Sequence, residues 1–149
     1  MSQSITKNTA NQATINTDLS KIFVGNNRYS DFPYSKTNST YDDITIPKGT
    51  LMGRIGSTLK VIPLVSTAVD GSQNPVGILA EDVVVEAGEV YTKDLTLCVS
   101  GDVAESKVIL SGSDTLNTLI SSRPIRDLIG ANTVGIKLVT SVENTSFDN

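Results

Sequence analysis

The stretch VGILAEDVVVEAG, residues 76–88, decides the fold reading. Val83, Val84 and Val85 are β-branched and stiff at χ1, which favours strands over helices. Gly88 closes the run as a turn signal. Downstream, EVYTKDLTLCVSGDV (89–103) sets Leu95, Leu97 and Val99 against Thr96, Cys98 and Ser100. That alternation is the period of a strand with two distinct faces. Gly101-Asp102 reads as a tight turn and VAESKVIL (103–110) as a further strand. Upstream, STAVDGSQNPVG (66–77) is a loop with Asp-Gly and Asn-Pro signals. LKVIPLV (59–65) is a strand candidate that Pro63 confines to a sheet edge or bends. IPKGTLMGRIG (46–56) holds apolar residues between turn signals at Pro47–Gly49 and Gly53–Gly56.

Beyond residue 110, Ser113-Asp114-Thr115 offers a cap to TLNTLISSRPIRDLIG (115–130). Leu116, Leu119 and Ile120 stand at helical spacing, Pro124 interrupts, and Ile125, Leu128 and Ile129 resume it. Two short helical turns joined at Pro124 are predicted. VGIKLVTSV (134–142) is a closing strand, with Val134, Ile136 and Leu138 alternating, and 143–149 is a frayed tail. The expected class is mainly β with one short helical element, confined to residues 46–142.

The first 45 residues read differently. Residues 1–20 hold twelve Ser, Thr, Asn or Gln, and only Ile5, Ile15 and Leu19 are bulky and apolar. Such a segment buries too little surface to offset its ordering entropy. KIFVGNNRYSDFPYSKTNSTYDDITI (21–46) then carries five of the chain's seven aromatics, at no regular period. Residues 1–45 are therefore expected to form an extended arm, partly disordered when free. Residues 21–46 either pack onto their own domain or lie as a strap across a partner; for the strap the anchors would be Ile22, Phe23, Tyr29, Phe32, Tyr34 and Tyr41, since Tyr and Phe typically anchor interfaces.

Composition narrows the chemistry. The 149 residues include one Cys, no His and no Trp. A Ser-His-Asp or Cys-His nucleophile needs an imidazole base, and none exists. One Cys without His makes a poor zinc site. No catalytic residue, metal or cofactor is expected, and no membrane-spanning run is visible. The acidic group Glu81, Asp82, Glu86 and Glu89 is the one candidate constellation. It matches no calcium loop, and adjacent Glu81 and Asp82 would point to opposite faces of a strand. Cys98 reads as structural. The net charge is −4, which argues against a general nucleic-acid binder. The charge is unevenly spread: residues 1–69 carry a net of +3 and residues 70–105 a net of −7. Such asymmetry can steer association between copies or with a charged surface. Two readings remain from the residues: a structural assembly protein, or an adhesive or glycan-binding module.

An ordered series of short motifs resembles the lambda-type bacteriophage head decoration proteins. It runs from GTLMGRIG through LKVIPLV and the Asp-Gly loop into Val76-Gly77-Ile78-Leu79-Ala80-Glu81-Asp82. LTLCVSGDV follows, then a short helix, and then Gly135-Ile136-Lys137-Leu138-Val139. The chain departs from the family pattern in its longer N-terminal extension and in having LSGSDTLNT where lambda-like members carry a Trp. The resemblance implies a β-clip-like or barrel-like domain and a homotrimer. It implies a non-enzymatic cement on the outer capsid surface, synthesised in the host cytoplasm. The implied partners are the major coat protein and other copies of the chain, with no nucleic acid, membrane or small-molecule substrate. The arm would pair with coat subunits by strand addition, three arms binding together.

Overall fold

A computed structural model describes residues 21–133 and 135–140. The organising element is β9 (Leu95–Ala104), a ten-residue strand with neighbours on both edges. Along one edge runs β1 (Phe23–Phe32), antiparallel, from Phe32 opposite Leu95 to Phe23 opposite Val103. On the other edge, β6 (Pro75–Leu79) pairs through Ile78 with Cys98 and Leu79 with Leu97. β12 (Ile136–Val139) lies parallel beside residues 101–104 of the same strand. β4 (Leu51–Arg54) and β5 (Val61–Pro63) complete the sheet in the order β1-β9-β6-β4-β5. The sheet is open, with β1 and β5 as end strands, and Pro63 sits in an end strand as expected of a residue that cannot donate to a ladder.

Three ribbons flank this sheet. β3 (Ile44–Ile46) pairs with β7 (Val83–Val85), β2 (Lys36–Thr37) pairs with β8 (Val90–Tyr91), and β10 (Leu119–Ile120) pairs with β11 (Arg123–Pro124). The described residues are mainly β, with one α-helix among them, α1 (Ile125–Asn132), and no closed barrel.

The core lies on both faces of the central strands. Leu51, Ile78 and Cys98 join α1 residues Ile125, Leu128 and Ile129 on one side. Met52, Leu79, Leu95 and Leu97 join Tyr34, Ile46, Val61, Val83 and Val85 on the other. Adjacent residues thus go to opposite clusters, as the two-residue period requires. Strands β6 and β9 are covered on both faces, which is why they are apolar in both registers. Gly77 is required by the close packing: a Cβ there would lie 2.9 Å from the Cys98 carbonyl oxygen.

Several local expectations are corrected. The run 76–88 is two strands in different sheets, β6 and β7, separated at Ala80–Asp82. Gly101-Asp102 is no turn. β9 continues through it, and Gly101 at φ +104° lies against Asn26, where β1 is itself irregular. A glycine that tolerates positive φ marks a bulge as readily as a turn. Residues 103–110 are not a separate strand. Val103 and Ala104 end β9, Glu105–Lys107 make a 3-10 turn, and Ile109 touches Thr50 by a single bridge. The first helical turn before Pro124 is instead the β10–β11 hairpin. Ser121 and Ser122 both take positive φ, the geometry of a two-residue hairpin loop. Leu116, Leu119 and Ile120 stand at helical spacing, yet Ile120 is buried while Leu119 is exposed, as neighbours in a strand are. Val134 and the tail 143–149 lie outside the described residues.

Candidate interaction surface

The segment expected to form an arm contributes β1, β2 and β3 to these sheets, so the strands begin at Phe23, ahead of residue 46. The backbone accounts for this. β1 finds the free edge of β9, and the Ile22 carbonyl accepts from the Ala104 N–H at 2.8 Å. Ile22 and Phe23 pack on the α1-side cluster, and Phe32 on the opposite cluster. Tyr34 is buried and stacks edge-on with Tyr91, ring centroids 5.6 Å apart. Burial pushes its hydroxyl pKa up. Tyr29 is 47% exposed, although its ring edge meets Phe23 at 5.8 Å. Tyr41 is fully exposed, in the loop between β2 and β3. The six named residues therefore divide: Ile22, Phe23, Phe32 and Tyr34 face the chain's own core, while Tyr29 and Tyr41 present aromatic surface to solvent.

Asn38 anchors that loop. It is 1% exposed, and its amide nitrogen donates to the carbonyls of Asp42 (2.8 Å) and Val85 (3.0 Å). Its Oδ1 accepts from the Thr40 N–H (3.0 Å) and hydroxyl (2.6 Å). A buried side-chain amide with both ends occupied holds the loop against β7.

The acidic group is structural in its contacts. Asp82 accepts from the Lys48 N–H at 2.7 Å, and Glu89 from the Glu86 N–H at 2.8 Å. Nearby, Asp43 accepts from the Ala87 N–H at 3.0 Å. These carboxylates tie down turn backbone rather than converge, and no metal-binding group of three is found among the described residues. Cys98 is buried, and burial raises its thiol pKa. Its side chain lies opposite to Leu95 and Leu97, as alternation predicts. Glu105 and Arg126 form an ion pair at 2.7 Å on the rim.

Two features escaped the sequence reading. A hollow of about 340 Å³ opens between Tyr34, Ile44, Ile46, Ile62, Pro63 and Val65. On the lobe built by β2, β3, β7 and β8, Val84 and Val90 are 44% and 64% exposed. Neither was visible because a three-valine run has apolar residues on both faces, and only pairing decides which face is covered. No helix among the described residues is long and apolar enough to cross a membrane.

The described residues thus form an open-edged, β-rich fold with an apolar hollow and two exposed valines on one lobe. The family model described as bacteriophage lambda head decoration protein D matches residues 27–118, and the chain belongs to that family. It is a phage head decoration protein, associated with the virion capsid, and membership implies a structural, non-enzymatic role. Comparison with curated proteins gives no match.

Proposed function

We propose that this protein sits on the outer surface of a phage capsid as a homotrimer and cements neighbouring coat subunits. The observation that carries this reading is the family match across residues 27–118. The contact is assigned to the N-terminal segment, residues 1–45, with Tyr29 and Tyr41 as exposed anchors. Ile22, Phe23, Phe32 and Tyr34 hold that segment to its domain. Two physical features support the assignment. Among the described residues no strand pairs with the outer edge of β1, which suits strand addition by a coat segment. Three such edges on one trimer bind together, and effective concentration then raises avidity without new contacts. The protein is made in the host cytoplasm.

The test is co-sedimentation with coat shells of the cognate phage. Truncation belongs after residue 20, since removal to residue 45 would strip three strands and Tyr34 from the domain. Wild type should saturate the shells. The truncated chain and Tyr29→Ala/Tyr41→Ala should bind at least tenfold more weakly while keeping the wild-type circular dichroism spectrum. A wild-type chain that leaves shells bare sinks the capsid reading. Full-affinity binding by both variants sinks the N-terminal assignment alone.

A further inference from the structure

The β3–β7 ribbon has two unlike faces. Directly opposed residues in an antiparallel pair share a face, so Ile44, Ile46, Val83 and Val85 lie on one side and Thr45 and Val84 on the other. The first side faces the core and continues into the 340 Å³ hollow, where Ile44 and Ile46 meet Ile62, Pro63 and Val65. The second side is open, with Val84 44% exposed. The turns flanking β7 carry Glu81, Asp82, Glu86 and Glu89, and no basic residue occurs from 81 to 89. The rim of the hollow has the opposite sign. Lys36 lines it, and Lys60 donates to the hydroxyl of Ser35, another lining residue, at 2.8 Å. Neither lysine is in an ion pair among the described residues.

The geometry points to a second copy of this chain as the occupant of the hollow: Val84, with its flanking carboxylates, seats among Ile44, Ile62 and Val65 of the next copy. Apolar contact at the centre excludes water, and the opposed charges at the rim set orientation. Knob and hollow are different surfaces of the subunit, so each contact engages the Val84 side of one copy and the hollow of the next. The contact is head-to-tail, which either closes as a ring or grows without limit. Closure at three copies rests on the homotrimer proposed above.

The test uses the full chain carrying Val65→Cys and Val84→Cys, treated with a short bismaleimide. Cys98 is buried, so wild type serves as the unreactive control. The double variant should give covalent dimer and trimer and nothing larger. An equal mixture of the two single variants should give covalent dimer, and either single variant alone should stay at monomer mass. A dimer from one single variant, a ladder beyond three, or no product from a sample that sediments as a trimer overturns the head-to-tail contact. A wild-type chain that sediments as a monomer removes the homotrimer reading itself. Independently, Val84→Lys leaves the core untouched. It should raise the concentration needed for trimer formation by about tenfold or more. An unchanged trimer in that variant also overturns the inference.

Discussion

Replacing Asn38 by Ala tests whether one buried amide holds the β2–β3 loop to the domain. The substitution deletes two donated and two accepted hydrogen bonds at a site 1% exposed. The Val85 carbonyl, whose bond to Asn38 is buried, is left without its side-chain donor. An unsatisfied buried group costs about 1–3 kcal/mol. The other three bonds are partly solvent-accessible, so water replaces some of them and each contributes about 0.5 kcal/mol. The sum is about 3 kcal/mol, or close to 10 °C in Tm for a domain of this size. The assay is urea unfolding followed by tryptophan-independent circular dichroism, since the chain has no Trp. The midpoint should fall while the slope with denaturant stays constant, because the surface exposed on unfolding does not change.

Asn38→Asp separates the donors from the acceptors. It keeps acceptor oxygens toward Thr40 but turns a carboxylate toward the carbonyls of Asp42 and Val85, and it should destabilise at least as much as Asn38→Ala. A loss below about 1 kcal/mol in both variants would refute the reasoning. It would mean that water solvates these groups in the folded state.

Gly101→Ala puts a Cβ 2.6 Å from the Asn26 carbonyl oxygen at φ +104°, so the β1–β9 junction should lose about 3 kcal/mol in denaturant unfolding. A stability equal to wild type would show that this junction shifts freely. Asp70 accepts from the Ser72 hydroxyl at 2.6 Å and from the Ser72 N–H at 3.0 Å, which holds its carboxyl below the ordinary value. A depressed folded-state pKa gives stability that is present above the ordinary value and lost as pH falls through the folded one. Ser72→Ala should therefore raise the Asp70 pKa in an NMR titration and shrink that acid-side loss; an unmoved titration contradicts the assignment. Cys98 should react with a thiol reagent only as fast as the protein unfolds, and added urea should release the reaction. Immediate stoichiometric reaction in buffer would contradict its burial.

Much of the architecture was legible because β9 and its neighbours follow a strict two-residue period. Leu95 and Leu97 against Cys98 already separate the two cores, and Pro63 already marks an end strand. The hairpin at 119–124 was not legible, because Ser121 and Ser122 are not the residues that usually adopt positive φ. Gly101 misled in the other direction, since a bulge and a turn demand the same freedom from glycine. The N-terminal aromatics were legible as anchors but not as anchors of what. Spacing without period carries no partner information, and for Tyr34 the partner turned out to be Tyr91 of the same chain.

By itself the sequence determined that this chain carries no His and a single Cys, that it is β-rich, and that it resembles head decoration proteins. Those conclusions need only residue types, local periods and motif order. The tertiary structure alone decided that residues 23–46 supply strands of the domain, that Val84 faces out while Val83 and Val85 face in, and that a hollow opens beside them. The reason is that side-chain direction in a strand is set by its partner's register. The partners here are distant in sequence: β1 meets β9, and β3 meets β7, only after the intervening chain has folded back.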